Sequence, residues 1–531
     1  MIILFNPIST SPGKQPLPLS LMSLAAVLES PNSGFDPRVL SQRSDLRGLT
    51  SEVKPRVLTP TSWTLVDGNL VPDPAAEIIA RLSASPRSEL SLLAVSVMPG
   101  PQLTQAVAVC ARVREALPNV PIVWGGYFPT QHADTVLRAP YVDFVIRSQG
   151  ERALPQLIDV LKSGGLLNAV GGLSWKGSSR SGGSGGEVVN NPVQPLAGLD
   201  DLPELPYHRV DMDRYIHRNY LGERTIAHNS SFGCPFACSF CAVVAMSNRR
   251  WLAQSPARLE RVMRHLVSTY RIDAVQMHDM DFFISEARTA EFAARIADLG
   301  LRWWALGRVD TLMHYSDATW EAMARSGLKM IFSGAESGTD AGLAQMNKGG
   351  TSSAALTLEL ARRMRSYGIV PEFSFVLGCP PDPRKDVETT FDFIRRVKQI
   401  NPATEIVLYT YTPVPLDGSL YTEAKRLGFA FPETLEEWAS PEWERLSMRR
   451  GDGIPWMDRS TGGIRRRVRD FERVVNAFYP TVTDLRLTGW RRAALKAAGG
   501  LRYGLKWYGA PYELRALNRL VRYQRPETTG F

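Results

Sequence analysis

The chain has 531 residues, is 44% hydrophobic and 22% charged, and carries a formal net charge of +9. No apolar run reaches the ~20 residues that a transmembrane helix needs. Five cysteines, three of them clustered, suit a reducing cytoplasmic setting and a metal site better than a disulfide framework. The first residues, Met1-Ile-Ile-Leu-Phe-Asn-Pro, lack a basic n-region and read as a strand rather than a signal peptide.

Residues 1–164 alternate apolar runs with helical patterns. Strands are predicted at Ile2–Asn6, Trp63–Asp67, Leu92–Met98, Ile122–Trp124 and Val142–Ile146. Helices are predicted at Leu19–Glu29, Ala75–Leu82, Leu103–Leu117 and Arg152–Leu161. Continuous apolar strands separated by helices imply an α/β, doubly wound (Rossmann or flavodoxin-like) parallel sheet. Its ligand-facing strand ends would carry Asn6-Pro7, Asp67-Gly68-Asn69, Ser96 to Gly100 and Trp124-Gly125-Gly126. Residues 30–60 read as an inserted surface excursion. Residues 165–220 read as a linker with a hairpin, Gly171–Lys176 and Glu187–Asn190, around the Gly/Ser tract 177–186.

A second series fills 221–425. After a strand at Thr225–Ala227 comes Ser231-Phe-Gly-Cys-Pro-Phe-Ala-Cys-Ser-Phe-Cys-Ala242, which sets Cys234, Cys238 and Cys241 in a C-x3-C-x2-C pattern. Three thiolates on one tight loop suit three irons of a [4Fe–4S] cubane and leave the fourth iron open, because Cys110 and Cys379 lie more than a hundred residues away. Zinc is the alternative, with His228 as the available fourth ligand. Five further strands follow: Ala274–His278, Arg302–Leu306, Met330–Ser333, Phe373–Leu377 and Glu405–Tyr411. Helices lie between them, the first opening at Ser255-Pro256. Six units make a partial (βα)6 barrel with its chemistry at the strand ends, where His278–Phe283, Gly307–Asp310, Gly334–Gly338, Leu377–Pro380 and Tyr411–Pro413 collect.

Residues 426–531 read as an α-helical basic region. Trp438, Trp443 and Trp456 fall in an irregular stretch suited to covering the barrel mouth. Helices are predicted at Ile464–Tyr479 and Leu495–Tyr523, the second interrupted at Gly499-Gly500 and Gly509–Pro511. From Arg486 to Arg525 ten basic residues face the single acid Glu513, which alone equals the net charge of the chain. Two readings stay open for this tail: an interfacial helix giving peripheral membrane contact, or helices packed on the barrel with a solvated basic face. No RNA-binding module signature accompanies the patch, so no nucleic-acid partner is expected.

The cysteine loop, with Phe240 before its third cysteine, resembles the radical S-adenosylmethionine (SAM) superfamily, where the open iron chelates the amino and carboxylate groups of SAM. Residues 1–164 are then similar to the cobalamin (B12)-binding domain that precedes many such cores. Ser96-x-Met98 and Gly125-Gly126 match positions flanking the cobalamin nucleotide tail, and Ser148–Glu151 looks like an altered Gly-Glu-Gly-Glu turn. The Asp-x-His-x-x-Gly motif is missing, which implies a lower cobalt face without His; a domain that has lost cobalamin is the alternative. The resemblance spans roughly residues 1–425 and includes Met346-Asn-Lys-Gly349 and the Pro-rich turn after the sixth barrel strand. It implies SAM contacts from Asp279 and Asp281, from Arg308 (otherwise in a salt bridge with a nearby carboxylate), and from Glu336 and Ser337. The implied activity is hydrogen abstraction by a 5′-deoxyadenosyl radical followed by methylation from methylcobalamin. The implied partners are a small-molecule or lipid-like substrate and a flavodoxin- or ferredoxin-type reductant. The alternatives are a cyclase or oxidoreductase of the anaerobic porphyrin-ring type and, in another class, an Fe–S/cobalamin sensor.

Overall fold

The computed structural model describes residues 1–8, 16–30, 61–86, 88–177, 186–348, 351–414, 416, 418–447, 454–459, 463–485, 487 and 489–521. The predicted excursion at 31–60, most of the Gly/Ser tract, Gly349, and Arg486, Arg522 and Arg525 of the basic tail lie outside the described residues. The chain forms two units.

The first unit comprises residues 1–212, 252–254 and 432–444. Its strands are β1 (Ile2–Asn6), β2 (Trp63–Asp67), β3 (Leu92–Ser96), β4 (Ile122–Gly125), β5 (Phe144–Ile146), β6 (Leu173–Lys176) and β7 (Val188–Asn190), in the order β2-β1-β3-β4-β5-β6-β7. The first five are parallel, as apolar runs flanked by helices require. Ile2 to Phe5 of β1 are wholly buried. The order 2-1-3-4-5 is flavodoxin-like and puts its ligand crevice at the β1/β3 switch point. The hairpin read as part of a linker instead extends this sheet: β6 and β7 add antiparallel beyond β5, satisfying an edge that would otherwise be open.

Within the same unit, helix Leu435–Trp438 returns from far down the chain. Trp438 packs on Phe128 (ring centroids 5.2 Å apart) and His132 (4.6 Å), and Thr104 donates to Glu444 at 2.8 Å. Trp438 and Trp443 therefore pack within the first unit.

The second unit holds a six-stranded all-parallel sheet. Its strands are β8 (Thr225–His228), β9 (Ala274–Met277), β10 (Arg302–Leu306), β11 (Leu328–Glu336), β12 (Val370–Leu377) and β13 (Glu405–Thr410) in sequential order, the partial barrel expected. Its helices start at side-chain caps, of which Ser255 is the one expected from sequence. Ser255, Ser285, Ser316, Ser353 and Asp382 each accept from a backbone N–H in the first turn, a contact worth ~1 kcal/mol apiece.

The tail packs on the flank of this barrel. Phe471 of helix Ile464–Phe478 stacks on Phe391 of helix Pro383–Ile400 at 3.6 Å, and Arg467 forks onto Glu388 at 2.7 and 2.9 Å. The predicted interruption at Gly499-Gly500 does not occur, and the helix runs unbroken from Gly489 to Gly504. A Cβ on Gly499 would lie 2.8 Å from the Phe478 nitrogen and 2.9 Å from the Ala477 Cβ, so the glycine permits close helix contact instead of breaking the helix.

Candidate cluster and cofactor site

The cysteine loop leaves β8 and is fixed by groups other than sulfur. Asp279, just past β9, is buried and accepts from the Ser230 nitrogen (3.2 Å), the Ser230 hydroxyl (2.8 Å) and the Ser231 hydroxyl. Buried Arg288 donates to the same Ser230 hydroxyl at 2.7 Å and lies over the Phe282 ring at 4.8 Å. On its other side the loop is clamped by the segment after helix Asp340–Gln345. Asn347 donates to the Ala237 carbonyl at 2.9 Å, and the Ser239 nitrogen donates to the Met346 carbonyl at 3.0 Å.

None of the three cysteines is in a disulfide. Burial, and then the nearby Asp281, Cys241 and Cys238, push the Cys234 thiol up to about 12. That mutual repulsion is what an iron cluster relieves, since the thiolate is the metal ligand. Two further cations face the loop. Arg308 donates to Cys238 Sγ at 3.3 Å and lies over the Phe236 ring at 3.8 Å. Lys348 Nζ lies 5.8 Å from the Phe240 ring centroid. Among the described residues no three His, Cys, Asp or Glu groups are gathered to hold a single metal ion. A cubane instead asks for one thiolate at each of three irons, which this donor set fits.

Arg308, expected either at the SAM carboxylate or in a salt bridge, is held in the salt bridge. It forks onto Asp310 at 3.0 and 2.7 Å and also donates to the Lys348 carbonyl, with both charged side chains buried. Glu336 pairs with Lys348 at 2.8 Å, likewise buried. Its backbone sits at φ +61°, where the β11–β12 register shifts. Gly334 makes room for that pair, because a Cβ there would lie 2.8 Å from Lys348 Nζ. Ser337 accepts from the Thr339 nitrogen at 3.2 Å.

Asp281 is buried, and its Oδ2 has no hydrogen-bond partner among the described residues. Burial pushes its carboxyl up to about 7 against the pull of Arg308. An orphaned buried acceptor beside the cysteine loop fits a ligand that brings a donor, such as the ammonium of SAM. Phe282, Phe283 and Trp303 pack behind it and keep the site dry.

Sequence reasoning named Lys348 and Asp310 only as parts of motifs and gave Phe236 no role. The signal for Asp310 was its position two residues from Arg308; nothing local marked Lys348.

In the first unit the expected cobalamin residues meet at the ends of β3 and β4. The Ser20 and Ser96 hydroxyls are 3.4 Å apart, and Gly126 takes φ +99°. A Cβ on Gly126 would lie 3.1 Å from both the Val97 nitrogen and its carbonyl oxygen and 3.2 Å from Ser96 Oγ, whereas one on Gly125 would meet nothing closer than 3.7 Å. Gly126 thus serves the turn itself, and Gly125 leaves room for an approaching group, as a nucleotide tail in the crevice requires.

Asp386, in the first turn of helix Pro383–Ile400, accepts from the Gly378 and Cys379 nitrogens at 2.8 and 3.2 Å where β12 ends. Burial pushes its carboxyl up to about 6 from an ordinary 3.8. The folded chain keeps a proton there that the unfolded chain releases, so stability falls as pH rises from about 4 to about 6. Asp386→Asn should flatten that part of a melting-temperature profile; an unchanged profile would assign the slope to other groups.

Two family models match the chain. One is the Radical SAM superfamily, over residues 228–394, and the other the B12 binding domain, over residues 64–158. An uncharacterized methyltransferase of Pyrococcus horikoshii is 29% identical over 283 residues, 52% of this chain and 58% of that protein. An anaerobic magnesium-protoporphyrin IX monomethyl ester cyclase of Synechocystis is 25% identical over 381 residues, 70% of this chain and 71% of that protein. Among solved structures, the radical SAM methyltransferase TsrM from Kitasatospora setae, with cobalamin and a [4Fe-4S] cluster bound, superposes over 98% of both chains at TM-score 0.62 and 16% identity, a likeness of fold.

Proposed function

The chain is a radical SAM enzyme with a B12-binding domain ahead of its barrel, and on that premise we propose that it methylates an unactivated carbon of a hydrophobic or secondary-metabolite substrate. When bound, the [4Fe–4S] cluster, SAM and cobalamin supply one-electron reduction, hydrogen-atom abstraction and methyl donation. Cys234, Cys238 and Cys241 would hold the cluster, and Arg308, itself steadied by Asp310, balances the charge at Cys238. Phe240, Asp279, Asp281, Arg308, Glu336 and Ser337 would surround SAM, with Asp279 orienting the cysteine loop through Ser230 and Ser231. Ser96, Gly125 and Gly126 would receive the cobalamin tail. A flavodoxin- or ferredoxin-type protein would deliver the electron.

The observation that carries this reading is the pairing of a three-thiol loop with a B12-binding fold in one chain, because hydrogen abstraction alone needs no cobalt. The methyltransferase of P. horikoshii supports it. The match to the Synechocystis cyclase over 70% of the chain favours ring closure as a second reading. Reconstituted enzyme, SAM bearing a deuterated methyl group, cobalamin and extract from a strain lacking the gene should yield a product that has gained one trideuteromethyl group. SAM cleavage without label transfer would overturn methylation in favour of cyclisation or oxidation.

A further inference from the structure

Large apolar side chains are mostly buried in both units, and of the exposed ones among the described residues five fall in one stretch of the tail, from Trp490 to Tyr512. Trp490 is 72% exposed, Leu501 68%, Leu505 66%, Trp507 56% and Tyr512 62%. Trp490 and Leu501 are eleven residues apart on helix Gly489–Gly504, three full turns, and so share a face with Ala493, Ala497 and Gly504. The opposite face, Leu495, Gly499, Arg502 and Tyr503, is buried in the second unit. Gly499 lies tight on helix Ile464–Phe478, and the Tyr503 ring stacks on Phe478 at 4.8 Å. The helix is therefore fixed by one side and presents an unbroken apolar stripe on the other. Leu505 and Trp507 continue the stripe past the helix end.

The charges beside this stripe select its occupant. Arg491 and Lys496, both exposed, flank it, and the surrounding sequence from Arg486 to Arg525 opposes ten cations with the one acid Glu513. Glu513 is itself drawn into a forked pair with Arg502. Tryptophan and tyrosine next to arginine and lysine, with the exposed acids Glu513 and Asp392 each taken up in an ion pair, match the boundary between anionic headgroups and acyl chains. A second protein copy would bring the same cations against each other, which costs rather than stabilises.

We infer that this face docks the enzyme on an anionic lipid surface, with Trp490, Leu501 and Leu505 entering the acyl boundary and Arg491 and Lys496 at headgroup level. The site is independent of the catalytic reading, since none of these side chains belongs to the cluster or cofactor machinery. Among the described residues no helix is long and apolar enough to cross a membrane, so attachment here is peripheral.

The test is co-sedimentation of the full-length protein with phosphatidylcholine vesicles, with and without phosphatidylglycerol. Binding should require phosphatidylglycerol and weaken as salt rises. The triple variant Trp490→Ser/Leu501→Ser/Leu505→Ser and the charge variant Arg491→Glu/Lys496→Glu should each bind at least about tenfold more weakly, the loss of a few buried apolar groups or of two headgroup contacts. All substituted positions are exposed, so both variants should keep the parent melting temperature. Absence of parent binding, equal binding to both vesicle types, or unimpaired variants would overturn the inference. So would a parent dimer that the triple variant makes monomeric, which would assign the face to a second copy. A chain ending at Val521 that binds vesicles when the full chain does not would assign the face to residues 522–531.

Discussion

Cys238→Ala should reduce the iron held by anaerobically reconstituted protein from about four per chain to background, and SAM cleavage should disappear with it. Cys234→Ala and Cys241→Ala should do the same, because with only two thiolates the cubane has two open corners. Cys110→Ala and Cys379→Ala should retain both iron and cleavage. Cys110 is buried, accepts a hydrogen bond from Trp124 at 3.3 Å, and is pushed up to about 12 by burial. Cys379 is buried at the end of β12, and burial raises its thiol as well. What sets both apart from the cluster ligands is position: neither lies on the 234–241 loop that gathers the other three thiols. Iron counts and optical spectra of the five variants, with melting temperatures alongside, separate ligand loss from misfolding. A cluster surviving in Cys238→Ala would remove the basis for the whole site.

Arg308→Met should be the most destabilising single change at the site that leaves the cysteines intact. The Arg308 and Asp310 side chains are 7% and 3% exposed, so removing the guanidinium strands a carboxylate in the interior. Breaking such a pair costs about 3–5 kcal/mol, far above an exposed ion pair at ~0–1 kcal/mol. Exposed pairs such as Arg426–Glu423 provide the control. The double variant Arg308→Met/Asp310→Asn should recover much of the loss, because neither partner then carries an unpaired charge. Arg308→Lys should fall between, keeping the charge but not the fork that meets Asp310, Cys238 and the Lys348 carbonyl together. Denaturant melts of the iron-free proteins read this directly; equal stability of Arg308→Met and the parent would show that the pair is not energetically buried.

Much of the architecture could be read before any coordinates because its signals are local. Ile2–Asn6 and Trp63–Asp67 are apolar runs stopped by Asn-Pro and Asp-Gly, Ser255-Pro256 announces a helix start, and the cysteine spacing carries its own ligand chemistry. What was left open or missed shares a different property. Whether Arg308 meets a ligand or Asp310 depends on what burial leaves for it to neutralise, and Lys348 has no partner visible in its own stretch of sequence. The hairpin of β6 and β7 has ordinary strand composition; only the open edge of β5 makes it part of the sheet. Gly499-Gly500 reads as a breaker on propensity, yet tertiary contact with Ala477 and Phe478 turns the same glycine into a packing device.

The return of residues 432–444 to the first unit has a temporal side. A ribosome completes the strands of that unit by Asn190, but the Trp438 ring that caps Phe128 and His132 is made only after the entire barrel has been synthesised. At common elongation rates of ~5–20 residues per second the interval is roughly 10–50 s, far longer than a sheet of this size needs to collapse. The nascent amino-terminal unit thus waits with an uncovered aromatic socket. Its final closure is a late event of synthesis.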